Sequence, residues 1–361
     1  MIGEINMKLS TKLAIAAALI VPTMAQANND LFNWYGSIRV QLEDTNKGGI
    51  EYKDNYSRLG AYGSAEILDG VKATYNFEFR LFTDDGSFAG NDQRARLANV
   101  GLEGDFGSVL IGKQYSPAWN FTDNAIDIFS DIDESAGCTH EAAGVICHTS
   151  RYGLFGKDAQ GNGHYIEYLR PDRAVTYTTP DMSGFQMSAM AILNNGDVKS
   201  DAAGTENENL VGYNVAAKYV VNDFTVSASR FEVTAFEGDH VVDSFQLAYN
   251  HGNVSLAAHY QDSSDLRFYE GLNPSGEIVD ENVYEIYGGY KMDNIQFQAK
   301  YAWVSMDSVS GLTVDSSQII LDAIYNHKLG SFYVEYSAWS DEAEDVYEAE
   351  DKFLVGYKLN F

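Results

Sequence analysis

Alternation with a period of two, repeated between tight turns along the whole chain, constrains this sequence more than any other feature. Trp34, Gly36, Ile38, Val40 and Leu42 fall on one side of an extended segment, and Tyr35, Ser37, Arg39, Gln41 and Glu43 on the other. Val71, Ala73, Tyr75, Phe77, Phe79 and Leu81 likewise oppose Lys72, Thr74, Asn76, Glu78 and Arg80. Ile295, Phe297, Ala299, Tyr301 and Trp303 oppose Gln296, Gln298 and Lys300. Turn signals at 69–70, 104–107, 181–184, 221–223, 250–253, 292–294 and 327–330 mark seven hairpins. A first strand near Trp34–Glu43 and a last near Lys352–Phe361 bring the count to sixteen. Residues 96–103 alternate poorly, so the facing of that strand is left open. A soluble sandwich shows the same period, but sixteen strands in one open sheet are unusual. The expected fold is all-β: a transmembrane, antiparallel, up-and-down β-barrel of 16 strands, with an aqueous interior to suit the polar face.

The remaining composition fits. Lys8 and Lys12, the apolar stretch Leu13–Val21 and Ala25-Gln26-Ala27 read as a signal peptide over residues 1–27, leaving 28–361 as one barrel domain. Beyond it no run reaches the ~18 apolar residues of a membrane helix. Tyr and Phe are abundant (24 and 19) and Pro is scarce (5), as strands with aromatic girdles require. A net charge of −28 excludes nucleic acid as a partner, because phosphate binding needs clustered Lys and Arg. Cys138 and Cys147 read as a disulfide pinning a loop; with His140 and His148 the same stretch also has the composition of a Cys/His metal set. No cofactor and no metal are expected. No Gly-x-Ser-x-Gly or His-Glu-x-x-His motif is present and the histidines are scattered, so no enzyme is expected. A hydrolase or adhesin barrel is the alternative of another class.

The last strand carries Phe353, Val355, Tyr357, Leu359 and Phe361 on one face. It resembles the C-terminal signal by which outer-membrane barrels are recognised for assembly. One connection is far longer than the rest, from Tyr115 to about Arg170. Sixteen strands, this long third outer loop and the terminal Phe together resemble the general porins of Gram-negative outer membranes. Trp34-Tyr35-Gly36, Tyr56-Ser57-Arg58-Leu59-Gly60, Arg96-Leu97-Ala98, Phe106-Gly107, Gly112-Lys113 and Gly356-Tyr357 carry the likeness in order.

That resemblance implies a trimeric, water-filled channel for small hydrophilic solutes and ions, with the third loop folded into the lumen. It also implies loop acids facing a ladder of arginines: Arg58, Arg96 and, less directly, Arg173. Alternation adds Arg39 and Arg80 to the inward set. Asp123, Asp127, Asp131, Asp133 and Glu134 are the candidate loop acids, the first three at a spacing that shares one face of a short helix. The family's acidic Pro-Glu-Phe-Gly element is absent, and Ser116-Pro117-Ala118-Trp119 stands nearest to it. The acid excess suggests cation preference. Trp119, Phe121 and Phe129 allow a sugar-selective alternative in which rings stack on sugar faces, or else they anchor the loop. The acids of the final outer connection, Asp341 to Asp351, read as a solvated rim, or as carboxylates bridged to lipopolysaccharide by divalent cations.

Overall fold

The computed structural model describes residues 31–88, 95–126, 128–130, 154–157, 159–160, 162–199, 201, 203–205, 209–234, 240–267, 278–308, 313–340 and 350–361. The signal-peptide expectation lies outside them. The strands are β1 (Asn33–Thr45), β2 (Ile50–Asp54), β3 (Arg58–Leu68), β4 (Val71–Arg80), β5 (Leu97–Gly104) and β6 (Gly107–Lys113). They continue with β7 (Leu154–Lys157), β8 (Gly163–Ile166), β9 (Ala174–Thr178), β10 (Phe185–Leu193), β11 (Leu210–Val221), β12 (Phe224–Val233) and β13 (His240–His251). The last are β14 (Val254–Arg267), β15 (Ile278–Met292), β16 (Ile295–Ser308), β17 (Thr313–His327), β18 (Gly330–Trp339) and β19 (Lys352–Asn360).

All of them pair antiparallel, and β19 returns to β1 from Ser37↔Asn360 to Thr45↔Lys352, so the sheet closes without a free edge. Two interruptions reconcile nineteen segments with sixteen staves. β2 and β3 lie end to end along β1, β2 against Val40–Asp44 and β3 against Asn33–Ser37. The break between them is capped: Tyr56 takes a left-handed φ of 55°, and the Asp54 carboxylate accepts from the Ser57 N–H (3.2 Å) and Thr83 Oγ1 (3.0 Å). β7 and β8 form a hairpin inside the long connection, touching the barrel at Phe155↔Arg267.

The seven tight turns fall where the turn signals stand. Gly70 and Gly252 adopt positive φ, and Asn222 and Asp293 do so with the short polar side chains that tolerate it. Burial is inverted relative to a soluble protein. Lumen-side Gln41, Glu43, Glu78, Gln298 and Lys300 are buried, whereas outward Leu42, Phe77, Val100, Tyr301 and Leu321 are exposed, as a lipid-facing wall requires. The poorly alternating strand β5 is fixed by register: Leu97 and Asn99 pair with lumen-facing Glu78 and Asn76. Outward rings form rows across neighbouring strands. Tyr260, Tyr284 and Trp303 stand at one height (centroids 4.8 and 5.1 Å apart), and His327, Phe332 and Tyr357 cluster near the turn side. Two such rows bound the apolar band.

Candidate pore constriction

The connection between β6 and β9 runs down into the barrel. It opens with a single helical turn, α1 (Pro117–Phe121), capped by Ser116 Oγ accepting from the Trp119 N–H (3.1 Å), with Pro117 at the first helical position. α1 is held against the inner wall because the Ala118 N–H donates to Asn214 Oδ1 (2.7 Å) on β11. Thr122 Oγ1 also lies 3.2 Å from Ser229 Oγ on β12. Ala118 and Tyr168 pack with Met190, Ile192, Phe231 and Val242, lumen-side residues of β10, β12 and β13 that are apolar because the loop covers them.

A second anchor follows. After α1 a three-residue 3-10 turn brings Asp123 to the wall, where its Oδ1 lies 3.3 Å from His259 Nε2. His259 Nδ1 contacts Glu285 Oε2 (3.2 Å), and Lys300 Nζ contacts Glu285 Oε1 (3.1 Å), all buried. Ile126 and Phe129 pack beside this cluster on Tyr287 and Ile320, Phe129 meeting the Tyr287 ring edge-on at 6.0 Å. At the third anchor the Ser130 N–H donates to Glu335 Oε2 (3.0 Å) and Asp322 Oδ2 (3.2 Å), and its hydroxyl donates to Asp322 Oδ2 (2.7 Å). Gln298 Nε2 donates to the Ile128 carbonyl (3.1 Å), and Asn55 Nδ2 to that of Ser130 (2.6 Å).

The wall opposite the described part of the loop is basic. Arg39 on β1 faces Lys358 on β19 in register, and Arg58 at the start of β3 pairs with Arg80 at the end of β4. Arg96 stands just ahead of β5, one residue short of the expected strand, and donates from Nε to Glu78 Oε1 (2.7 Å); Arg58 Nη1 lies 3.8 Å from the same oxygen. Among the described residues the salt bridges of Arg58 and Arg96 both run to Glu78. Arg80 stacks over Tyr56 (3.7 Å) and approaches Asp54 (3.8 Å). The returning limb adds Arg170, 5.9 Å from the Tyr115 ring and bonded to Glu167 (2.9 Å), which also holds Lys113 (2.6 Å). Burial alone would push the Tyr115 phenol up, but Arg96 and Arg170 outweigh it and hold the group below its ordinary pKa.

The expected site residues therefore separate into groups. Arg39, Arg58, Arg80 and Arg96 come together on one wall. Arg173 precedes β9 in a left-handed conformation (φ 54°) and pairs with Asp172 (3.1 Å). Asp123 does not face the arginines; it is buried in the seam between loop and wall. Phe121 and Phe129 are buried, each under a lysine, Lys218 (4.5 Å) and Lys300 (5.5 Å), and Trp119 stacks on Tyr115 (5.8 Å). Asp127, Asp131, Asp133, Glu134, Cys138 and Cys147, and the rim acids up to 349, lie outside the described residues. Glu78, Lys358, His259, Asp322 and Glu335 were not singled out from sequence, although their lumen-side parity marks them. On the final strand, Phe353 is exposed outward and Tyr357 joins the turn-side aromatic cluster. Leu359 pairs with Ile38, and Phe361 exchanges two backbone hydrogen bonds with Gly36 (2.8 and 3.1 Å).

Comparison with known proteins agrees with this geometry. A family model described as "Gram-negative porin" matches residues 13–341. Outer membrane porin protein 32 of Delftia acidovorans is 30% identical over 131 residues, which span 36% of this chain and 32% of that protein. A monosaccharide porin of Halomonas sp is 23% identical over 86% of this chain and 87% of its own. Among solved structures, OmpF of Salmonella typhi in complex with daunomycin superposes with a TM-score of 0.70 at 18% identity, covering 93% of this chain and 99% of that one. An anion-selective porin from Comamonas acidovorans gives 0.66 at 18% identity, covering 91% and 99%.

Proposed function

The chain belongs to the Gram-negative porin family, and on that premise we propose that it passes small hydrophilic solutes and ions by passive diffusion between the basic wall and the inserted loop. Its place is the outer membrane of a Gram-negative bacterium, and family and fold point to a channel rather than an enzyme. The observation that carries the reading is the three-point seating of the loop inside a closed barrel. The described part of the loop lies against β11–β18, opposite the arginine wall. Such a gap sorts solutes by width and charge without chemistry.

Ion preference has two sources in different places. The net charge of −28 gives the protein a negative field, which draws cations toward its mouths at low salt and supports the cation preference expected from sequence. Arg39, Arg58, Arg96 and Lys358, of which Arg58 and Arg96 share the Glu78 carboxylate among the described residues, favour anions at the loop-facing wall. Salt separates the two: the Debye length falls from ~30 Å at 0.01 M to ~3 Å at 1 M, so the distant acids are screened first. We expect cation preference at low salt that weakens or reverses as salt rises. Reversal potentials across matched gradients at several ionic strengths test this, and a cation preference that grows with salt would refute it.

Burial of Phe121 and Phe129 supports the anchoring role for the loop aromatics, while Trp119 on Tyr115 keeps a sugar-stacking surface available. The monosaccharide porin of Halomonas makes sugar block of single-channel current the second thing to record. Trimerisation, lipopolysaccharide contact through divalent cations and the disulfide Cys138–Cys147 remain part of the proposal. A Vibrio cholerae OmpT structure described as a trimer form supports the first.

A further inference from the structure

Three lumen-side tyrosines lie flat on the wall, each over a glycine. Tyr35 on β1 crosses Gly60, its partner on β3, and its hydroxyl donates to Asn76 Oδ1 on β4 (3.0 Å). Tyr333 on β18 crosses Gly356, its partner on β19. Its hydroxyl reaches Gln41 Oε1 on β1 (3.2 Å) and accepts from Asn55 Nδ2 (3.0 Å). Tyr287 folds over Gly289 two residues along β15, its hydroxyl 3.4 Å from Gln298 Oε1. All three rings are buried. At each glycine a Cβ would collide with the far end of the ring, the Cζ and hydroxyl, and at Gly60 and Gly356 those side-chain atoms are the nearest ones met. A methyl there displaces a ring and leaves the strand in place.

What stands on these rings is the constriction. Phe129 of the loop packs T-shaped against the Tyr287 ring, and Asn55, which bonds Tyr333, also holds the Ser130 carbonyl. On the other side Tyr35 ends beside Glu78, the residue opposite Gly60 that gathers Arg58 and Arg96. We propose that Gly60, Gly289 and Gly356 set the bore of the channel by recessing these tyrosines, two under the loop and one under the arginine layer. Because outward movement is blocked by the sheet itself, a ring lifted from its recess pushes the layer above it toward the pore axis. The inference rests on the channel reading and adds to it the residues that decide width.

The test compares wild type, Gly60→Ala, Tyr35→Ala, the double variant and Gly356→Ala in planar bilayers, each first shown to be folded by its heat-modifiable gel mobility. Single-channel conductance and the largest polyethylene glycol that enters are the readouts. Gly60→Ala and Gly356→Ala are expected to lower conductance and shift the polymer cut-off to smaller sizes. Gly60→Ala in the Tyr35→Ala background is expected to match Tyr35→Ala alone, since no ring is left to lift. Unchanged conductance in both glycine variants, or a double variant as narrow as Gly60→Ala alone, overturns the inference while leaving the channel intact. Folded wild-type protein that never conducts removes the channel reading, and this one with it. If Gly60→Ala does not fold, Gly356→Ala decides by the same measurement.

Discussion

The middle anchor of the loop is the one most exposed to a single substitution. Asp123 and His259 have side chains only 6% and 1% exposed, and their contact at 3.3 Å joins a loop carboxylate to a wall imidazole. Hydrogen bonds to a charged partner are worth about 1.5–3 kcal/mol, against about 0.5–1.5 for neutral pairs. Asp123→Ala removes such a contact from the loop, while the seats at Asn214 and at Asp322 with Glu335 persist. The loop then stays inside the barrel but detaches locally more often. At 1.4 kcal/mol per factor of ten, the lost contact corresponds to roughly ten- to hundred-fold more frequent opening. Ser229→Ala supplies the internal standard, because it deletes a contact between two neutral hydroxyls at 3.2 Å and should raise opening no more than about tenfold. The assay is the rate of brief current fluctuations in single-channel records at fixed voltage, paired with protease nicking of the loop from the outer side. Equal fluctuation rates in the two variants, or an Asp123→Ala record as quiet as wild type, would refute the claim that a charge-assisted contact latches the loop.

Two further expectations concern other parts of the barrel. Because Arg96 and Arg170 hold the Tyr115 phenol below its ordinary pKa, alkaline pH forms the phenolate earlier than usual and adds one negative charge beside the basic patch. Anion permeability should fall as pH rises through that titration and stay flat in Tyr115→Phe, measured as reversal potential against pH; identical profiles would exclude the phenol. Phe361 lays its ring over Gly36 and closes the last backbone pair of the barrel, so Phe361→Ala should slow assembly in membranes without altering conductance once folded. Pulse-labelling of the heat-modifiable form measures the rate, and wild-type kinetics would show that the ring plays no part.

The barrel was legible in the sequence because its two determinants are local. A hairpin turn needs Gly, Asn or Asp at particular residues, and all seven turns fall on such signals. A strand between lipid and water must alternate, which puts Arg39 and Arg80 on the inner face from sequence alone, while Arg58 follows from the family resemblance. The loop is different, since the spacing of Asp123, Asp127 and Asp131 suggested a shared helical face. α1 ends at Phe121 and Asp123 turns toward the wall, while Asp127 and Asp131 lie outside the described residues. What decides this is His259 on β14, and its height depends on register accumulated over many strands, which spacing within the loop does not contain. A weaker signal was nonetheless present. Met190, Ile192, Phe231 and Val242 put apolar side chains on the lumen side of β10, β12 and β13, where a wet interior calls for polar ones. An apolar inner surface has to be covered from within, and the long connection is the segment with the length to do it. The inner faces of the strands, more than the loop's own residues, hold the information on where the loop lies.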